Sequence, residues 1–237
     1  MSTFVLVHGA WHGGWCWEKI APLLESRGHR VLAPDLPGHG SDRTPIADVS
    51  LDAYAARVRE VIAAAPEPVV LVGHSMGGVV ITAAAERLPE RIRTLVYLTA
   101  FLVGEGETLL AAAGGDPGSA LVGNLVPSAD GASVTVKPEV VVPAFYADCA
   151  PADAERARAR LVPQASAPFT TPVLWTAARA GRVPRVYIAC LRDRAISPAV
   201  QQRMYEARPC KSVLTLDTDH SPFYSTPEPL ATHLAAL

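Results

Sequence analysis

The chain has 237 residues, 49% of them hydrophobic and 19% charged, with a formal net charge of −2. That suffices for one generous domain, or one domain with an insertion, around a sizeable core, and it excludes global disorder. The near-balanced charge gives no footprint for nucleic acid or an anionic membrane, and no apolar run reaches the roughly 18 residues of a spanning helix. The N-terminus "MSTFVLVHGAWHGG" lacks the basic start and cleavage site of a secretory signal, so a cytoplasmic location is expected. Cys16, Cys149, Cys190 and Cys210 are scattered without a C-x-x-C pair, which reads as free thiols rather than a metal site or disulfide framework. No metal and no other cofactor is expected.

In chain order, "FVLVHG" (4–9) has the apolar, β-branched pattern of a strand buried on both faces. A helix follows around 17–27, ending at Gly28, and "HRVLAPD" (29–35) predicts a second strand before the breaker-rich "LPGHGSD". Residues 51–64 have helical spacing, "PVVLVGH" (68–74) reads as a strand, 76–88 as a helix closed by Pro89, and "IRTLVYLTAF" (92–101) as a fourth strand. From 102 to 181 the rhythm changes to clustered Gly, Ala and Pro, with a helix near 151–161 and no comparable strand series. Alternation returns with "RVYIACLRD" (185–193), a helix near 198–207, "SVLTLDTDH" (212–220) and a terminal helix from 227. Strands alternating with helices predict an α/β fold: a mostly parallel sheet covered on both faces. Residues 1–101 and 182–237 would form its core, and 102–181 a mainly helical cap over the C-terminal ends of the strands, where such sheets bind ligands.

The stretch "VVLVGHSMGGVV" (69–80) interrupts a buried strand with a hydroxyl between glycines. The pattern G-x-S-x-G by itself arises by chance in on the order of one chain in ten of this length. Here it follows a strand and opens a helix, the setting of a nucleophile elbow. Gly73 and Gly77 would leave the sharp turn room to close, and the helix N-terminus would favour developing negative charge. A glycine-rich corner with a capping serine is the plainer alternative. As nucleophile, Ser75 needs a base, and the base a group that fixes its tautomer.

Seven histidines compete for that role. His8 sits beside Gly9 at a strand end, His12 suits an entrance, His74 is expected to pack, and His29, His39 and His233 read as solvated or capping. His220, in "DTDHSPF", ends the last predicted strand and is the preferred base. Asp193, ending "VYIACLRD", is the preferred acid, with Asp217, Asp219 and Asp148 as rivals. Two backbone N–H groups for an oxyanion would come from Met76, after the nucleophile, and from Ala10 in the loop "HGAWHGG". Trp11, Trp15 and Trp17 of that stretch also suit core packing.

Taken together, "LVHGAWHGGWCWEKIAPLLESRGHRVLAPDLPGHG", "LVGHSMGGVV", "CLRDRAISP" and "DTDHSPFYSTP" resemble the α/β-hydrolase superfamily. More narrowly they are similar to the branch holding plant methylesterases of the salicylate-binding type, hydroxynitrile lyases and bacterial pyrethroid-hydrolase-like esterases. "AFYADCAP" carries the likeness into the insertion. The resemblance implies Ser75 as nucleophile, Asp193 as acid, His220 as base, and Ala10 and Met76 as oxyanion donors. The lyases of this branch carry a threonine at or beside the oxyanion-loop donor and a lysine after the catalytic histidine; this chain has Gly9, Ala10 and Ser221 at those places.

The expected function is therefore carboxylic ester hydrolysis on small, largely apolar substrates through an acyl-enzyme, by a monomer or homodimer. Alternatives are the same triad serving a carbon–carbon bond hydrolase, a perhydrolase or a hydroxynitrile-lyase-like reaction, or a ligand-binding receptor with a vestigial triad. Leu125, Phe145, Phe169 and Trp175 are candidates for an apolar pocket or for packing within the cap.

Overall fold

The structure is a computed structural model that describes residues 1–237. β1 (Thr3–Val7) is buried along its whole length. It leads through a 3-10 turn at Gly14–Trp17 to α1 (Ile20–Glu25) and the short β2 (Arg30–Leu32). α2 (Leu51–Ala63) starts at Ser50, whose hydroxyl accepts a hydrogen bond from the Ala53 amide (3.1 Å) and so satisfies one of the helix's free donors. β3 (Val69–His74), buried throughout, α3 (Gly77–Arg87) and β4 (Ile92–Leu98) complete the first half.

Between β4 and the next sheet strand the chain forms α4 (Leu109–Ala113), β5 (Leu125–Pro127), β6 (Ser133–Val136), α5 (Pro138–Phe145), α6 (Pro151–Arg158), β7 (Gln164–Ala165) and α7 (Ala167–Thr170). β8 (Arg185–Cys190), α8 (Pro198–Ala207), β9 (Ser212–Leu216), α9 (Pro222–Ser225) and α10 (Pro227–Ala235) follow. The main sheet has the order β2-β1-β3-β4-β8-β9 with all neighbours parallel. α2 and α3 pack on one another and on the sheet centre, and α1 packs against α10.

The order reverses at β1: the chain moves outward to β2, then returns to lay β3 on the other side of β1. Parallel α/β sheets open a crevice beyond the carboxyl ends of strands at such a switch. Val7 pairs with Gly73 there, so the loops after β1 and β3 leave the sheet side by side.

Several strands end sooner than the apolar runs suggested: β1 at Val7, β4 at Leu98 and β9 at Leu216. The missing ends have left the ladder for the crevice, and Thr99 turns off β4 with a positive φ of 37°. The insertion also differs from expectation. Its helices are joined by an antiparallel sheet, β5-β6-β7. Strands of two to four residues are too short to show a period of two over a window, which is why composition alone reads this segment as strandless. One contiguous hydrophobic cluster runs from the sheet into the insertion, taking in Phe4, Tyr97 and Phe223 together with Val134, Phe145 and Phe169. All four cysteines are free, and no helix is long and apolar enough to cross a membrane.

Candidate active site

Ser75 follows β3 directly and takes a φ of 53°, a left-handed conformation that side chains other than glycine adopt at a cost. Its carbonyl accepts from Gly78 N and Phe101 N, both at 3.1 Å, which fixes the turn from two directions. A Cβ on Gly73 would lie 2.5 Å from the Gly77 carbonyl oxygen, and one on Gly77 would lie 2.9 Å from that of Val7. Only bare backbone lets β3 fold back onto α3 this tightly while α3 stays against β1.

Asp193 and His220 stand at the ends of β8 and β9, and the structure joins them: His220 Nδ1 lies 2.6 Å from Asp193 Oδ2. The carboxylate can only accept, so Nδ1 carries the proton and Nε2 is left with its lone pair. The other carboxylate oxygen accepts from Ala195 N (2.7 Å) and Ile196 N (2.9 Å), and Thr99 Oγ1 donates to Oδ2. Both residues are almost wholly buried. His74 Nε2 donates to the His220 carbonyl (2.8 Å), which fastens the His220 loop to the residue before Ser75. The two imidazoles lie 4.6 Å apart. The hydrogen bond of His220 Nδ1 to Asp193 is not matched by one from Ser75 Oγ to His220 Nε2.

The rival carboxylates are occupied elsewhere. Asp217 is exposed and pairs with Arg192 (2.8 Å), as Asp148 does (3.0 Å). Asp219 accepts from Asp148 N (2.8 Å), Ser221 N (3.0 Å) and Ser225 Oγ (2.8 Å), tying the insertion to the His220 loop.

Ala10, Ser75 and Met76 line one cavity of about 290 Å³. The amides of Ala10 and Met76 donate to no group of the protein, although both residues are buried. Buried N–H groups without partners are rare, so two beside a strained serine mark a place for an acceptor from outside. Most of the lining is apolar and includes Leu125 and Phe169. Phe145 packs instead between Trp11 and His220, and Trp175 donates its indole N–H to the Val103 carbonyl (3.2 Å). No group of three His, Cys, Asp or Glu side chains is arranged to hold a metal ion.

Two histidines are not where their sequence context suggested. His12 is buried, with Nδ1 on the Ala10 carbonyl (2.7 Å) and Nε2 accepting from Tyr146 OH (2.7 Å). His39 is buried too, bonded to the His12 carbonyl (2.7 Å) and to Tyr54 OH (2.9 Å). A neutral imidazole with both nitrogens satisfied can be buried cheaply, and no local pattern reveals partners 15 to 134 residues away. Burial holds His8 and His74 well below the usual histidine range, lowers His39, and brings His12 down to about 3. Thr99 was also missed; its only sequence signal is a hydroxyl just past a strand.

The sequence profile of the alpha/beta hydrolase family matches residues 4–233. The pyrethroid hydrolase of Sphingobium wenxiniae is 34% identical over 244 residues, covering 99% of this chain and 87% of that protein. The carbendazim hydrolyzing esterase of Nocardioides sp. is 34% identical over 245 residues, covering all of both chains. Among solved structures, a pyrethroid hydrolase from Sphingobium faniae superposes with a TM-score of 0.88 at 32% identity, over 99% of this chain and 96% of that one.

Gly73→Ala should lower stability by roughly 2–3 kcal/mol, because backbone rather than a movable side chain blocks the new methyl. A shift in urea midpoint of that size checks it. Acid should also weaken the fold. Unfolded histidines take up protons near pH 6.5, while burial lowers His8, His12, His39 and His74 in the fold, so stability is lost as pH falls below about 6.5, for His12 down to about 3. Each histidine that stays neutral in the fold contributes at most about 1.4 kcal/mol per pH unit below about pH 6.5. Urea unfolding at pH 7 and pH 5.5 measures it, and equal midpoints would contradict the neutral-histidine assignment.

Proposed function

The chain belongs to the alpha/beta hydrolase family, and from that premise we propose that it hydrolyses small, apolar carboxylic esters through an acyl-enzyme on Ser75. His220 takes the serine proton through Nε2 as the hydroxyl attacks the ester carbonyl. Asp193 holds the imidazole in the tautomer that leaves Nε2 basic and offsets the positive charge it acquires. The Ala10 and Met76 amides receive the developing oxyanion, and the N-terminal end of α3 adds favourable potential there. His220 then protonates the leaving alcohol, activates a water, and a second pass through the same states frees the acid.

The observation that carries this reading is the buried 2.6 Å contact between Asp193 and His220, whose ring lies 4.6 Å from that of His74, the residue before Ser75. A volume of about 290 Å³ lies at the lower bound of ligand pockets, which run from roughly 300 to 1,000 Å³, and favours compact esters. The only ionisable side chain in the lining is Asp116, whose oxygens accept from Gly118 N (3.0 Å) and Ser197 N (2.9 Å). A carboxylate wall disfavours an anionic substrate tail. Residues 102–181 supply much of this wall, and we take them as a cap over the core of 1–101 and 182–237. Ser221, next to His220, is uncharged, so cleavage of a cyanohydrin would lack a cation for the departing cyanide.

Ser75→Ala should lower kcat on p-nitrophenyl acetate by at least about 10³-fold and abolish labelling by a fluorophosphonate. Wild-type turnover in that variant would overturn the mechanism. Thr99→Val, which strips one donor from the Asp193 carboxylate, should lower kcat by roughly tenfold with little change in KM. Steady-state kinetics on the same ester decides it.

A further inference from the structure

Four consecutive carbonyls of the loop after β1 are each held by a different group. His8 Nδ1 holds Gly9 O (2.8 Å), His12 Nδ1 holds Ala10 O (2.7 Å), the Val162 amide holds Trp11 O (3.0 Å), and His39 Nδ1 holds His12 O (2.7 Å). Between them Trp11 sits at a positive φ of 63°, with its indole N–H on the Val134 carbonyl (2.9 Å). Tyr146 OH closes the set on His12 Nε2 (2.7 Å). Val134, Tyr146 and Val162 all belong to the segment between β4 and β8. They reach the loop from more than 120 residues away in the chain.

A peptide unit is planar, so holding a carbonyl also aims the amide on its other side. The carbonyls of Gly9 and Ala10 belong to the two planes that flank the Ala10 Cα, and the first of these planes carries the Ala10 N–H. His8 and His12 therefore lock both planes, and a left-handed Trp11 persists only because its surroundings over-determine it. Tyr146 matters through His12. By donating to Nε2 it keeps the proton on Nδ1, where it is needed to grip Ala10 O.

We propose that His12 and Tyr146 are positioning residues for the Ala10 amide, so that the insertion completes the oxyanion site rather than only roofing the cavity. This rests on the ester-hydrolase reading above. An oxyanion donor acts only when it lies within about 2.7–3.1 Å of where the charge develops, and an unanchored loop forfeits that placement.

The test is Tyr146→Phe in the full-length chain, assayed with p-nitrophenyl acetate and with an arylboronic acid whose tetrahedral serine adduct mimics the oxyanion intermediate. The expected result is a kcat lower by roughly 10- to 100-fold, KM within about twofold, and boronate affinity weakened by the same factor as kcat/KM. A purely structural role would lower the melting temperature and leave boronate affinity of the folded enzyme unchanged, which overturns the proposal. His12→Asn, whose amide N–H can still donate to Ala10 O, should keep more activity than His12→Ala; equal losses in those two variants also overturn it, and this pair decides if Tyr146→Phe fails to fold. A wild-type chain that neither hydrolyses esters nor binds boronate would sink the functional reading itself, an outcome distinct from a variant matching an active wild type.

Discussion

The left-handed turn at Ser75 is the constraint around which the molecule is organised. It holds the hydroxyl out of the backbone path, and that strain must be balanced by contacts on every side. Gly73 and Gly77 remove the methyls that would collide with α3 and with the end of β1. The Ser75 carbonyl is taken by Gly78 and Phe101, so the first turn of α3 and the exit of β4 are both tied to it. The switch in strand order sets β1 beside β3, which brings the Ala10 loop to the same corner. A strained serine, two free amides and a crevice thus follow from one topological decision.

Around this corner the protein keeps a low-polarity interior with very few charges. Four histidines are buried in neutral form, each with a role in pinning a loop: His8 and His12 on the β1 loop, His39 on the His12 carbonyl, His74 on the His220 carbonyl. Their neutrality matters as much as their bonds. Neutral imidazoles add no charge around the Asp193–His220 contact. The carboxylate is itself saturated by Thr99, Ala195 and Ile196, so it is oriented rather than free to swing.

The segment between β4 and β8 belongs to this arrangement more closely than its irregular composition implies. It shares the hydrophobic cluster of the sheet, walls the cavity through Leu125 and Phe169, and is bonded to the His220 loop through Asp219 and Asp148. Its antiparallel strands serve as anchors, since Val134 in β6 receives the Trp11 indole. Movement of this segment would therefore be felt at the backbone of the site.

By itself the sequence determined the succession of strands and helices, the serine on its elbow, and the candidacy of Asp193, His220, Ala10 and Met76. Those signals are local: runs of β-branched residues, glycines around one hydroxyl, turn residues after each strand. Asp193 already stood apart in the sequence by ending its own strand; only the tertiary structure shows that it contacts His220 while Asp217 pairs with Arg192 and Asp219 is bonded to Asp148, Ser221 and Ser225. It likewise revealed Thr99, the buried state of His12 and His39, and the hold of Tyr146 on His12. Each of those depends on a hydrogen bond between residues 15 to 134 positions apart, and a buried polar group is identified by its partner in space, which no window of sequence contains.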